Sequence, residues 1–498
     1  MQANETRGPL VALIAILLWG CGGEGSGTAP TTSTVAPAPV PAPPPPVVAP
    51  FIELKFSYEA HRLATSEVIP PYTYAGEQFP GGVADIFPQA SISLDFEGDR
   101  FPEVVIPLTK AYGTPTPRTL PYLLLSNSDG RLRYDAALNA QLPSVFSARR
   151  SASLSLAGNP AAFFVQHNVS GMYNDPTAHG TAVLLAKRAG AIGSIANALP
   201  RLTTRDELPD NATDAHSMAV GDINGDGLDD IIIGNWTPFS GFPPVTLLQQ
   251  AGGTFSARND PLLERLLTVP RVNSSPNGNQ DANLLIDLHL ADVNGDGLAD
   301  LIAGFGHGST PSLLFINQNG TFDFDRRVEL PPSVYGIDNS LHLKTLSFDI
   351  DNDGDLDLVI IHSRSEPYYA GSYIQLLRND DSQFTDITDQ SLNQIQSDIF
   401  SDFLNWSDDT FIRDVDGDGF QDILFSHGDG RLIVYFNQGN GRFDRLETRL
   451  PNNEWGRLQA VNDLNADGKL NFVYYQGGGS EVEKTYIINV YDFSFKKP

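Results

Sequence analysis

Residues 348–360 read FDIDNDGDLDLVI. Five aspartates stand at alternate positions, Asp349, Asp351, Asp353, Asp355 and Asp357, with Gly354 among them and an apolar run behind. Carboxylates this close repel one another unless a cation lies between them. The same pattern returns as GDINGDGLDDIII at 221–233, ADVNGDGLADLIA at 291–303, RDVDGDGFQDILF at 413–425 and NDLNADGKLNFVY at 462–474. LDFEGDRFPEVVI at 94–106 is a worn copy, and LSLAGNPAAFFV at 154–165 has lost every acidic position. Asp, Asn and Gly also favour plain turns. That reading would account for one such loop, whereas several in one chain point to metal.

A softer signal falls between the loops: YLLLSNSDGRL (122–132), VLLAKRAGAI (183–192), LLQQAGGTF (247–255), LLFINQNGTF (313–322), IQLLRNDDSQF (374–384) and IVYFNQGNGRF (433–443). Each reads as a strand, a turn and the opening of a further strand. The stretch TYIINVYDFSF (485–495) stands in for the seventh. Seven loops across 51–498 allow about 64 residues per unit, room for four short strands. The runs Ile231-Ile232-Ile233 and Leu358-Val359-Ile360-Ile361 are continuous, so their strands are expected to be buried on both faces. No amphipathic helix of useful length interrupts them. Four-stranded sheets stacked radially meet these demands, and the expectation is an all-β, seven-bladed propeller with hairpin loops that bind calcium. Residues 51–90 are expected to supply the strand that closes the ring.

The paired signals resemble the FG-GAP and VCBS repeats of integrin α-subunit heads and of many bacterial surface proteins. The resemblance covers roughly residues 90–498, and it implies that the acidic loops lie on the face opposite the ligand face.

Calcium takes six to eight oxygens, which a tight loop supplies from alternate residues. The expected ligands are Asp222, Asn224, Asp226 and Asp230 with the Leu228 carbonyl, and Asp292, Asn294, Asp296 and Asp300 with Leu298. Next come Asp349, Asp351, Asp353 and Asp357 with Asp355 at the seventh place, then Asp414, Asp416, Asp418 and Asp422 with Phe420. The last loop offers Asp463, Asn465, Asp467 and Asn471 with Lys469, and its neutral Asn471 predicts a weaker site. Four or five calcium ions are expected, in a structural role. An EF-hand would need a bidentate glutamate at the twelfth place, where Ile233, Ala303, Ile360, Phe425 and Tyr474 stand here.

Polar residues leave the strands that follow the loops: His167, Asn235, His307, His362, His427 and Gln476, with Trp236, Phe239, Tyr173, Tyr368 and Tyr369 in the connections. His216 and His342 precede strands expected to start on the same face. Polar strand ends meeting water, a glycan-binding face and a histidine metal or catalytic cluster remain open readings. No nucleophile motif, G-x-S-x-G or H-E-x-x-H, is present. The expected function is binding or adhesion toward an extracellular glycan or protein. A polysaccharide lyase or hydrolase, or a structural envelope component, is the alternative.

The formal net charge is −28, from 60 acidic and 32 basic residues, which argues against nucleic acid and anionic lipid as partners. One cysteine, Cys21, excludes an internal disulfide. The run LVALIAILLW at 10–19 suits the core of a signal peptide and is too short to span a bilayer as a helix. Leu18-Trp19-Gly20-Cys21 resembles the bacterial lipobox, with a bulky Trp19 and an n-region holding only Arg7, opposed by Glu5. A plain secretory signal is the alternative, and Gly22-Gly23 favours the outer membrane by the same resemblance. Residues 22–50, rich in glycine, threonine and proline, read as a tether. The expected organisation is a leader at 1–20, lipidated Cys21 and tether to 50, and a monomeric propeller from 51 to 498.

Overall fold

The computed structural model describes residues 50–64, 72–74, 77–79, 86–110, 120–167, 180–188, 190–235, 242–267, 284–306, 310–402, 409–449, 456–479 and 484–496. The leader, Cys21 and the tether lie outside these residues. Among the described residues no helix is long and apolar enough to cross a membrane.

Among the described residues, seven antiparallel blade sheets follow one another along the chain, beside two two-stranded ribbons. Each of the seven loop signals joins the first strand of a sheet to its second. In the third blade the strands are Ala215–Gly221, Asp230–Asn235, Val245–Gln249 and Phe255–Arg258, hydrogen-bonded in that order. In the fifth they are Ser340–Phe348, Asp357–Arg364, Ala370–Asp380 and Gln383–Asp386. The second unit is a complete blade, Ala148–Leu156, Asn159–Gln166, Val183–Arg188 and Ala191–Ser194, although its loop has shrunk to the turn Ala157-Gly158. Losing the acids therefore cost the loop and not the sheet.

Packing explains the continuous apolar runs. Ile231 and Ile233 point into one core shared with blade two, while Ile232 points into another shared with blade four. Val104, Ile106 and Leu108 face blade seven, and Val105 faces blade two. Seven such clusters straddle the seven blade interfaces and close the ring. The first strands touch one another between blades two and three, three and four, four and five, and seven and one, which places them around the axis.

Blade seven contains both ends of the described chain. Its strands Gly456–Asn462, Asn471–Gly479 and Lys484–Lys496 are completed by β1, Phe51–Ala64, paired antiparallel from Phe51↔Lys496 to Ala64↔Thr485. The closing strand expected from residues 51–90 is thus β1. Short helices among the described residues have no counterpart in the strand pattern, and the longest follows blade three. Pro261–Leu267 forms a seven-residue helix whose Leu262, Leu263, Leu266 and Leu267 enter the core between blades three and four.

Candidate metal centres and the opposite face

Antiparallel order puts every first-to-second loop at one end of its blade, so the acidic loops share a face. Within each loop the first aspartate folds back over its own backbone. Asp222 accepts from the amides of Gly225 (2.7 Å) and Gly227 (2.8 Å), and Asp226 accepts from Leu228 (3.0 Å). The equivalents are Asp292 with Gly297 (2.8 Å), Asp349 with Gly354 (3.0 Å), Asp414 with Gly419 (3.0 Å) and Asp463 with Gly468 (2.8 Å). At the fifth position Asp296, Asp353, Asp418 and Asp467 accept from Leu298, Asp355, Phe420 and Lys469. Wrapping this tight needs left-handed backbone at the fourth and sixth positions, as at Gly225 (φ 75°) and Gly227 (φ 79°). Asn352 (φ 61°) and Ala466 (φ 56°) take the fourth position without that freedom.

The ninth position does more than the spacing implied. Asp230, Asp300, Asp357 and Asp422 are wholly buried, and each carboxylate accepts two backbone N–H groups. One comes from the second residue of its own loop: Ile223 (3.2 Å), Val293 (3.1 Å), Ile350 (2.7 Å) and Val415 (2.8 Å). The other comes from the end of the third strand or just beyond it: Gln249 (2.8 Å), Asn317 (2.7 Å), Asn379 (2.7 Å) and Asn437 (2.8 Å). Burial, together with the nearby loop carboxylates, pushes these acids up to about 6 for Asp230 and Asp300 and about 7 for Asp357 and Asp422. A bound divalent cation would oppose that shift.

The residues at or just beyond the end of the third strand also reach across the blade interface. The side-chain amide of Asn317 donates to the carbonyl of Ile223 in the preceding loop (2.8 Å). Asn379 does so to Val293 (2.7 Å), Asn437 to Ile350 (3.0 Å), Gln249 to Ser155 (3.0 Å) and Asn127 to Leu464 (2.8 Å). In the sequence these amides looked like turn residues, and their partners lie about 90 residues or more away, beyond the reach of any local pattern.

Loop seven shows what its asparagine does. Asn471 Oδ1 accepts from Leu464 N (3.0 Å), as the aspartates do, and its amide donates to Asp492 (3.1 Å). A carboxylate facing this position from the neighbouring strand suits a donor, not a second acid. Asn465, Asn471 and Asp492 open onto a cleft of about 390 Å³ that Asp129, Gly130 and Arg131 of blade one also line. The worn loop one keeps the wrap. Asp95 accepts from Gly98, Asp99 and Arg100, and Glu103 holds Phe96 N (3.0 Å).

Among the described residues, carboxylate oxygens of Asp349, Asp351 and Asp353 lie within 4.8 Å of one another, as do those of Asp414, Asp416 and Asp422. The FG-GAP-like repeat model matches residues 292–360 and 414–474, and the FG-GAP repeat model matches 215–235. The matched spans coincide with blades whose loops wrap in this way. The chain is an FG-GAP repeat β-propeller.

No curated protein matches it. Among solved structures, the propeller is similar to Bacillus licheniformis rhamnogalacturonan lyase PL11 at 12% identity, over 84% of this chain and 78% of that one, with a TM-score of 0.39. It is also similar to a chain in the crystal structure of BBS1N in complex with ARL6DN, soaked with lead (9%, 82% and 93%, 0.37). A third is Bombyx mori GH32 β-fructofuranosidase BmSUC1 (11%, 87% and 95%, 0.31). At these scores the likenesses carry no argument about activity or ligand.

At the far end of the FG-GAP propeller the candidate histidines among the described residues are inside, not on a surface. His167 is 4% exposed, with Nδ1 2.9 Å from the buried Asp214. His362 lies between Ser340 Oγ (2.9 Å) and Gln375 Oε1 (2.9 Å). His427 is buried beside Asp429 (2.9 Å). Gln476 is half-buried and accepts from Asn489 (3.4 Å). The side chain of Asn235 and residues Tyr173, Trp236, Phe239 and His307 lie outside the described residues. His216 is buried, its Nδ1 3.3 Å from the Ile286 carbonyl.

A register shift recurs near the start of five first strands, leaving Arg149, His216, Ile286, Leu343 and Gln459 out of the ladder. Such bulges re-aim side chains. Beside the first of them, Arg150 of blade two reaches the carbonyls of Ile286 and Leu343 in blades four and five. Its Nε lies 3.7 Å from Asp287, which accepts from Thr345 N (2.7 Å) and sits 3.4 Å from His342 Nε2. A bonded polar plug thus crosses the axis where the sequence left an arc of histidines open to several readings.

Two expectations follow. Asp422→Ala strands two buried N–H groups, so it should cost roughly 2–5 kcal/mol even with chelator present. Asp416→Ala, a loop position, should cost less than about 1 kcal/mol under chelation and reduce stabilisation by added calcium. Denaturant titrations of both variants, with and without calcium, separate the two roles. The second expectation concerns pH. Burial lowers the His362 imidazole to about 3, so it stays neutral at pH 5 and its contribution to stability is lost as pH falls below the unfolded value near 6.5. Long-range nitrogen–proton NMR spectra of labelled histidine should show a neutral ring for His362 at pH 5.

Proposed function

We propose that this propeller is a calcium-stabilised binding module, lipid-anchored at the cell envelope through Cys21, that presents the face opposite its acidic loops to an extracellular glycan or protein. Calcium is supported by the donor chemistry, which is oxygen throughout. It is supported further by Asp351, whose Oδ1 is buried without a hydrogen-bond partner among the described residues. Burial and the charges of Asp353 and Asp349 raise its pKa. A hard cation at this point gives the orphaned oxygen a partner and relieves the repulsion. The loops beginning at Asp222, Asp292, Asp349 and Asp414 would each hold one ion, with the loop at Asp463 as a fifth. Calcium supplies charge neutralisation there, and the chain's own contribution is the wrapped backbone that sets the oxygens close together.

The binding role rests on one observation. Seven large apolar side chains are exposed among the described residues. Five of them, Val334, Ile337, Tyr368, Ile395 and Phe400, come from connections at the end of the propeller away from the acidic loops. A monomer rarely leaves such groups together without a partner.

Purified protein should unfold at a clearly lower temperature after chelation, and calcium at about 100 times its Kd should restore about 2.7 kcal/mol per site. An unchanged melting curve and no bound metal by elemental analysis would remove the calcium reading. The anchor is tested separately. Labelled palmitate should enter the wild-type chain and not the Cys21→Ser variant; label in neither would leave a secreted module.

A further inference from the structure

The five exposed apolar groups sit on a platform built from three connections around blade five. These join blade four to blade five (330–340), the second to the third strand of blade five (364–371), and blade five to blade six (387–402). They are bonded into one piece. Tyr335 Oη donates to the Ile399 carbonyl (2.8 Å), and its ring meets Phe400 edge-on at 6.1 Å. Arg364 donates to the Ser401 carbonyl and pairs with Asp402 at 3.3 Å. Asn339 accepts from Glu366 N (2.7 Å) and donates to the Glu366 carbonyl (3.1 Å), tying the first connection to the second. Gln394 closes two bonds with the backbone of Ile374, to its N–H (2.9 Å) and its carbonyl (2.7 Å). Tyr369 is held in left-handed backbone (φ 56°) and packs under the platform against Ile286, Leu341 and Leu343, leaving Tyr368 48% exposed beside it. A surface fixed in this way loses little entropy when a partner arrives.

Its composition selects the partner. Three of the five exposed groups, Val334, Ile337 and Ile395, are aliphatic, whereas a sugar ring is held by aromatic faces and polar donors. Asp338, Glu366, Asp389 and Asp402 stand exposed among them. The sole base in the three connections is Arg364, already engaged with Asp402. An acidic polysaccharide would be repelled here. A protein surface with an apolar centre and a rim of lysine or arginine would match both features.

We infer that this blade-five platform is a docking site for a protein partner carrying an apolar stripe edged by basic residues. The inference rests on the binding reading above and makes it specific.

The test uses calcium-loaded protein and a helical peptide with a leucine–phenylalanine face edged by lysine and arginine. A scrambled peptide of the same composition controls for the overall charge, and a glycan array is run alongside. The ordered peptide should slow amide exchange within 333–340, 365–371 and 395–402. Phe400→Ser and Val334→Ser should each weaken binding by about fivefold or more at unchanged melting temperature. The double variant Asp338→Lys with Glu366→Lys should weaken it further and flatten its salt dependence. Equal binding of the scrambled peptide, protection confined to the acidic loops, or indifference to the variants would overturn the site. Retention of a glycan without the peptide would overturn the protein partner while leaving a binding module. Retention of neither would overturn both.

Discussion

The buried carboxylate at the ninth loop position is the joint on which the propeller turns. Asp300 fixes the backbone of Val293 in its own loop and that of Asn317 just beyond its own third strand. Asn317 then binds Ile223 of the preceding loop, and Ile223 N returns to Asp230, where the unit repeats. Hydrogen bonds to a charged group contribute about 1.5–3 kcal/mol each, and an unmade one leaves a buried donor bare. The same residue therefore shapes the loop, fastens the sheet and, through the amide beside it, grips the next blade. Burying an acid so completely raises its pKa, and a cation in the adjoining loop would lower it again. A candidate metal-ligand position and the geometry of the sheet thus meet in a single side chain.

The two ends of the propeller divide the work. At one end the backbone wraps tightly around acids that hold charge. At the other, five of the first strands bulge, and among the described residues a bonded polar plug crosses the axis. The large apolar side chains left exposed at that end lie on the interlocked connections of blade five. Propellers are often read as rings with a ligand at the centre; here the bonded plug around Arg150 and Asp287 turns attention to the rim.

Much of this was legible in the sequence because its causes are local. Acids, glycines and apolar runs occur within a dozen residues of one another, so the seven loops, the double-sided strands and the closing strand could be anticipated. What escaped depends on distance along the chain. The amide of Asn379 meets Val293, and Arg150 meets Leu343, across separations that no periodicity records. The histidines misled because residues at strand ends are usually wet, whereas the bulges and the connections bury these. Blade two was anticipated by its place in the repeat although its acidic pattern is gone. Its loop lost the signature, but Phe163, Phe164, Leu184 and Leu185 kept both of its neighbours packed.

The seam in blade seven carries a consequence for how the chain reaches its native state. β1 is the earliest strand of the ring to be synthesised, and its partner, Lys484–Lys496, is the last. Contacts this far apart in sequence form slowly, because a long stretch of chain must be ordered before they can repay its entropy. Throughout that interval the aromatic side chains of Phe51, Phe56 and Tyr58 lie on a strand with an unsatisfied edge, the kind of segment that pairs with the wrong neighbour. Ring closure is therefore expected to come last in assembly, and the interval before it to be the one most open to aggregation.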